Sequence, residues 1–222
     1  MIKENLKNIT LKIEKAAKNY SPNHKVELLA VSKYTDIDSI KEAFACGQMR
    51  FGENKIQDLK LKALELPKAK WHMIGHLQTN KINGMLELHS EVGLELFESL
   101  DSLKLARLLQ KHLEFKNETL NCLLQVNSAR EESKSGFLEE ELLEAFEVIS
   151  KECKNLKILG LMCIGAHVED RAVIEKSFKK TKDLFDEIGV LSVLSMGMSS
   201  DYELAIANGS NLVRIGSAIF KK

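Results

Sequence analysis

Val26-Glu27-Leu28-Leu29-Ala30-Val31 is a short, mostly apolar run that closes on Ser32-Lys33. After it, Ile37, Ile40 and Phe44 recur at helical spacing, with Thr35 or Asp36 placed to cap the helix and Gly47 to stop it. The strongest such runs in the chain are apolar throughout rather than alternating, the pattern of parallel strands buried on both faces. A buried strand followed by an amphipathic helix is one βα unit, and the rest of the chain repeats it.

Toward the carboxyl terminus, further strands are expected at Arg50-Phe51-Gly52, Lys70 to Ile74, Leu88 to Val92, Leu120 to Val126, Ile158 to Ile164, Leu191 to Ser195 and Leu212 to Ile215. Helices are expected at Lys55 to Leu64, shortly after His76, and at Leu100 to Leu113, Leu138 to Cys153, Val173 to Ile188 and Tyr202 to Ala207. Toward the amino terminus, Leu6, Ile9, Ile13, Ala16 and Ala17 mark an extra helix within Met1 to Asn19. Eight units in 222 residues give about 28 residues each, the size of a compact βα repeat. The prediction is therefore an α/β fold, a (β/α)8 TIM barrel, forming one domain over residues 1–222. The alternative is an open doubly wound sheet. That fold usually carries a G-x-G-x-x-G turn after its first strand, and no such turn occurs here.

Composition narrows the function. Lys+Arg and Asp+Glu both number 32, so there is no general attraction to nucleic acid or to an anionic membrane, and any anion site must be local. The apolar runs fall well short of the roughly 20 residues a membrane span needs. Cys46, Cys122, Cys153 and Cys163 form no C-x-x-C pair, and the charged opening helix is not a secretory signal, so a reduced, cytoplasmic location is expected. His72-x-x-x-His76 has ligand spacing only on a helix. It falls on a strand and its end instead, with no neighbouring carboxylate or cysteine in the sequence, so no metal is expected.

In a barrel of this kind, chemistry gathers at the carboxyl ends of the strands. Those ends carry Ser32-Lys33, Gly52-Glu53-Asn54, Gly75-His76, Ser195-Met196-Gly197-Met198-Ser199 and Arg214-Ile215-Gly216-Ser217. Ser199 or Ser200 is placed to cap the helix that follows, and Gly216-Ser217 offers close backbone approach and a hydroxyl. Loops after strands seven and eight are the recurrent phosphate site of this fold, so a small phosphate ligand fits. Ordinary turn chemistry is the plainer reading of each motif alone. Lys33, ending an apolar strand, points its amine toward the barrel mouth, where cations or apolar walls nearby would leave more neutral amine to attack a carbonyl; a solvated loop lysine is its plainer reading.

The chain resembles the YggS/PROSC family of pyridoxal 5′-phosphate (PLP)-binding proteins. The resemblance is carried by Leu29-Ala30-Val31-Ser32-Lys33, Phe51-Gly52-Glu53-Asn54 and Trp71-His72-Met73-Ile74-Gly75-His76-Leu77-Gln78-Thr79-Asn80-Lys81. It continues in Glu131-Glu132-Ser133-Lys134-Ser135-Gly136-Phe137, Leu194-Ser195-Met196-Gly197-Met198-Ser199 and Val213-Arg214-Ile215-Gly216-Ser217-Ala218-Ile219-Phe220. These segments run in family order over nearly the whole chain.

The resemblance implies a barrel like the amino-terminal domain of alanine racemase and a Schiff base between PLP and Lys33. It implies phosphate held around Ser199, Gly216 and Ser217, Arg214 near the pyridine nitrogen, and Asn54, His76, Ser195 and Met198 in the cofactor pocket. The block Glu131 to Phe137 is expected as a loop over the mouth. Two departures stand out: Cys163-Ile164-Gly165-Ala166-His167, where the family often has a small residue, isoleucine and proline, and the end at Lys221-Lys222.

The resemblance also favours PLP (vitamin B6) homeostasis over catalysis. Racemisation needs proton exchange on both faces of the α-carbon, and in alanine racemase the opposing tyrosine comes from a second domain. None of Tyr20, Tyr34 and Tyr202 clearly fills that role. The expected protein is a monomeric PLP carrier that passes cofactor to PLP-dependent apo-enzymes. The competing expectation is a narrow-scope PLP-dependent amino-acid racemase.

Overall fold

Parallel strands cannot be joined by tight turns, so each apolar run must be returned by a crossover helix, and eight such returns curl the sheet on itself. The computed structural model describes residues 1–128, 135–165, 168 and 170–221. Its strands are β1 (Glu27–Val31), β2 (Arg50–Glu53), β3 (Lys70–Met73), β4 (Leu96–Leu100), β5 (Leu120–Val126), β6 (Leu156–Cys163), β7 (Val193–Ser195) and β8 (Leu212–Ile215). They pair in parallel in chain order, and β8 returns to β1 to close the barrel.

Helices α2 (Ile37–Ala45), α3 (Ile56–Glu65), α4 (Ile82–Val92), α5 (Leu103–Lys116), α6 (Glu139–Glu152), α7 (Arg171–Ile188), α8 (Tyr202–Ala207) and α9 (Ser217–Phe220) follow the strands in turn. The extra helix α1 (Ile2–Tyr20) buries Ile2, Leu6, Ile9, Ile13 and Ala17 along one stripe. It packs on α8, α9 and α2, the helices flanking the β8–β1 closure.

Two expectations fail. Leu88 to Val92 is the last part of α4, and the fourth strand is Leu96–Leu100 instead. Helical periodicity explains the first half of the error: Ile82, Met85, Leu86 and Leu88 form the buried stripe of α4. The true strand is obscured because Glu98 and Ser99 interrupt its apolar run, although both are wholly buried. Second, neither Ser199 nor Ser200 caps α8. Asp201 is its N-cap residue, and the Asp201 carboxylate accepts the Met198 N–H at 2.6 Å. At the other candidate cap, Asp36 is used, accepting from the Ser39 N–H at 2.8 Å.

Inside the barrel, Leu29, Leu96, Leu123, Met162 and Leu212 form an apolar layer. The period of two along a strand puts Glu98 on the face of Leu96 and Arg214 on the face of Leu212. The barrel interior therefore carries charge directly above its apolar layer. Positions 131–134 of the expected mouth loop, positions 166 and 167 of the loop after β6, and position 222 lie outside the described residues. Among the described residues no helix is long and apolar enough to cross a membrane.

Candidate functional site

The carboxyl end of β1 is built to present Lys33. The Ser32 N–H continues the sheet by donating to the Gly52 carbonyl at 3.0 Å. The Ser32 hydroxyl donates to Glu53 Oε1 at 2.6 Å, and Lys62 Nζ donates both to the Ser32 carbonyl at 2.9 Å and to Glu53 Oε1 at 2.7 Å. Glu53 is wholly buried, and its Oε2 has no partner among the described residues. The chain then turns sharply: the Thr35 N–H donates to the Ser32 carbonyl at 2.9 Å, and Tyr34 sits in the left-handed region at φ 72°. That conformation is uncommon for an aromatic residue, and its exposure leaves the surrounding backbone to hold it there. Lys33 Nζ stands 5.7 Å from the Tyr34 ring centroid.

Across the mouth, Gly197 (φ 93°) follows β7. A Cβ there would lie 2.6 Å from Ala205 Cβ and 2.8 Å from Tyr202 Cα, so only glycine fits the turn that brings Met198, Ser199 and Ser200 inward. Leu29 and Arg214 are partners in the β1–β8 register, so Arg214 starts below the end of β1. Gly216 follows it, and a Cβ there would lie 2.7 Å from the Val31 carbonyl oxygen, leaving bare backbone in the wall.

These pieces enclose a cavity of about 550 Å³ lined by Lys33, Met198, Ser199, Arg214, Gly216 and Ser217. Ser200, the alternative to Ser199 at the expected phosphate turn, also lines it, and Val31, Tyr34, Thr35, Asp36, Ser39, Ile74, Phe220 and Lys221, which the sequence reading does not select for the site, complete the lining. Lys33, Arg214 and Lys221 are its cations, and Asp36, the cap of α2, is the one carboxylate among the described lining residues.

Three of the selected residues stand apart from this cavity. Asn54 and His76 follow β2 and β3 but are not part of the lining. His76 is exposed, its Nδ1 2.6 Å from Asp101 Oδ2. Ser195 is wholly buried and serves Arg214 instead: its carbonyl and hydroxyl accept from Arg214 Nη1 at 2.8 and 2.7 Å. Arg214 Nη2 donates to the Cys163 carbonyl at 2.7 Å.

Behind Arg214 lies a polar group whose acidic members, Glu98 and Glu95, sequence reasoning missed. The Ser195 hydroxyl donates to Glu98 Oε2 at 2.6 Å, and His72 Nδ1 lies 2.7 Å from Glu98 Oε1. His72 Nε2 lies 2.9 Å from Glu95 Oε2. Burial opposes charge on the His72 ring, yet its hydrogen bonds to Glu95 and Glu98 raise its pKa above the ordinary imidazole value. Burial also opposes charge on Glu98, and the bond from His72 together with the nearby Arg214 charge lowers its pKa below the usual carboxylate range. Glu95, although half-buried, is brought down to about 2 by the bonds from His72 and Lys70 and the charge of Arg50.

The family model for the alanine racemase N-terminal domain matches residues 5–222. A Helicobacter pylori protein named pyridoxal phosphate homeostasis protein is 54% identical over 222 residues, covering 99% of this chain and 98% of its own. The chain belongs to the pyridoxal phosphate homeostasis protein family. Two solved structures of PipY from Synechococcus elongatus match the same fold. The one without PLP has a TM-score of 0.87 at 30% identity, and the one with PLP bound has 0.84 at 29%. Each covers 99% of this chain and 100% of PipY. Membership in this family therefore extends over the whole barrel, and the carboxyl-end cavity lies within it.

Proposed function

We propose that the chain binds PLP in the carboxyl-end cavity, with Lys33 as covalent anchor for the aldehyde, and holds it in reserve for other proteins rather than turning over an amino acid. The observation that carries this reading is a cavity whose wall combines a lysine amine, an arginine and bare glycine backbone. The residues fit the group. Gly216, held bare by the close approach of the Val31 carbonyl, presents backbone in the wall, Ser199 and Ser217 bring hydroxyls, and Arg214 and Lys221 bring positive charge to an anionic ligand. When bound, PLP supplies an electrophilic aldehyde and a conjugated ring able to accept electrons.

The chain's own residues favour retention over turnover. Strong electron withdrawal by the ring needs a protonated ring nitrogen, which a nearby carboxylate would favour. The cavity's described carboxylate, Asp36, is used to cap α2, and Arg214 is a donor that keeps its proton. Arg214 therefore suits an acceptor atom on the ligand. Asn54 and His76 are assigned to the rim of the mouth. Family membership supports a role in PLP homeostasis, with PLP-dependent apo-enzymes as the recipients.

The test is to load the full chain with PLP, reduce with borohydride and map the label by peptide mass spectrometry. The label is expected on the Lys33 peptide and absent from Lys33→Ala. Label on Lys62 or Lys221 would overturn the site. Sustained loss of optical activity from a single amino-acid enantiomer, abolished by Lys33→Ala, would overturn the non-catalytic reading.

A further inference from the structure

Barrels of this class usually fill their interior with branched apolar side chains. This one runs a chain of polar contacts through it, from Glu95 at the amino end to His72, Glu98, Ser195 and Arg214 below the cofactor cavity. An ionised carboxylate only accepts hydrogen bonds. His72 faces one at each ring nitrogen, at 2.7 Å from Glu98 and 2.9 Å from Glu95, so with both carboxylates ionised both nitrogens donate and the ring carries the imidazolium charge that its raised pKa favours. The charges then alternate along the column: negative, positive, negative and, past the Ser195 hydroxyl, positive. Glu98, His72, Ser195 and Arg214 are all buried. Placing such groups in the interior is costly unless each is paired, and here each is.

The far end of the column has an uncommitted side. Arg214 spends Nη1 on Ser195 and one Nη2 hydrogen on Cys163. Its Nε–H and second Nη2 hydrogen have no partner among the described residues, and the residue lines the cavity. We propose that Glu98 is a positioning residue for ligand binding: acting through the Ser195 hydroxyl and balanced by the His72 imidazolium, it fixes the Arg214 guanidinium against the carboxyl-end cavity. This rests on the reading that the cavity holds PLP.

The column is open to solvent at its other end. His72 lines a second cavity of about 320 Å³ at the amino-end mouth. The charged groups around it are Glu95 and Glu98, Arg50 on β2, Lys70 on its own strand, Glu27 on β1 and Lys25. Loss of the imidazolium proton at alkaline pH leaves a neutral ring between two carboxylates, and the hold on Arg214 loosens.

The test uses the full chain and two ligands, PLP and pyridoxine 5′-phosphate, which has no aldehyde and so reports binding without the lysine anchor. Dissociation constants are measured from about pH 6 to about pH 9, spanning the range in which histidine changes charge. Wild type is expected to bind both and to weaken toward alkaline pH. Glu98→Gln and Ser195→Ala are expected to weaken pyridoxine 5′-phosphate by about tenfold or more and to flatten its pH profile. Ser195→Thr, which keeps the hydroxyl, is expected to bind more tightly than Ser195→Ala. Nitrogen-15 NMR of His72 near neutral pH is expected to show both ring nitrogens protonated.

Wild type that binds neither ligand sinks the PLP reading itself. Wild type that binds, with Glu98→Gln or Ser195→Ala matching it in affinity and pH profile, sinks the positioning role alone. A neutral His72 ring, or Ser195→Thr no better than Ser195→Ala, does the same.

Discussion

The two mouths of this barrel are both rich in charge, and they use it in opposite ways. At the amino end, Arg50 pairs with Glu27 at 2.8 Å and Glu95 at 3.1 Å, and Lys70 pairs with Glu95 at 3.0 Å. At the carboxyl end, Lys33 and Lys221 line a larger cavity and form no ion pair among the described residues, and Arg214, which lines it with them, meets Glu98 only through the Ser195 hydroxyl. Cations satisfied by the protein's own carboxylates hold a structure together. Cations left facing a cavity, beside hydroxyls and bare glycine backbone, are available to an anionic ligand. The difference locates the site better than size or charge count at either mouth would.

The sharpest way to break this contrast is Lys33→Ala, which should abolish borohydride-trapped label entirely while leaving the melting temperature close to wild type, because the side chain is exposed. Retained label would place the anchor elsewhere. Next comes a matched pair, one arginine from each mouth. Arg214→Gln removes charge-assisted bonds each worth about 1.5–3 kcal/mol, so PLP affinity should fall by at least about tenfold. Arg50→Gln removes partly exposed pairs, typically worth less than about 1 kcal/mol each, so it should lower stability slightly and leave PLP affinity unchanged. Equal losses of affinity from both would dissolve the distinction between the mouths.

A smaller effect separates the mouths by pH. The His72 pKa is raised in the folded state, so its stabilisation is complete below the ordinary imidazole value of 6.5 and is lost as pH rises through the folded value. Glu95 is held at about 2, so its contribution is present above the ordinary carboxylate value of 4.5 and is lost as pH falls toward about 2. The melting temperature of the ligand-free chain should therefore decline on the alkaline side of neutrality. His72→Gln should start lower and decline less over that range. An unchanged alkaline slope in His72→Gln would remove the imidazolium from the account.

Why the sequence reveals one mouth and not the other follows from the range of the interactions. Lys33, Met198, Ser199 and Gly216 sit in loops directly after strands, and Ser217 opens the short helix after β8, where local punctuation marks them. The barrel itself is legible because its apolar runs recur at a regular interval. Glu98 is hidden because a charged residue in a strand interior reads as a break in the strand. Its partners His72 and Ser195 lie 26 and 97 residues away in the chain, beyond any local pattern. The misplaced fourth strand has the same origin, since Leu96–Leu100 carries two buried polar groups that are satisfied only once the barrel closes. The available signal is the reverse of a motif: an acidic residue within Leu96-Phe97-Glu98-Ser99-Leu100, where solvent exposure would be out of keeping with its neighbours. Asn54 and His76 fall at the expected end of the barrel, but sequence alone does not resolve which strand ends turn inward.

The smallest effect concerns how Lys33 is aimed. Tyr34 is 91% exposed, so removing its side chain forfeits almost no buried area. Glycine at 34 relieves a left-handed conformation costing roughly 1–2 kcal/mol, adds about 0.5–1 kcal/mol of chain entropy to be lost on folding, and gives up an exposed cation–π contact worth about 0.5–1 kcal/mol. These terms nearly cancel, so Tyr34→Gly should melt within a few degrees of wild type and keep its trapped label at Lys33. Proline cannot adopt φ 72°, because its ring fixes φ near −65°. Tyr34→Pro should therefore redirect the turn, lower label yield at Lys33 and leave the paired amino-end mouth undisturbed. If proline and glycine trap PLP equally well, the left-handed turn is incidental, and the Ser32–Glu53–Lys62 contacts alone orient the anchor.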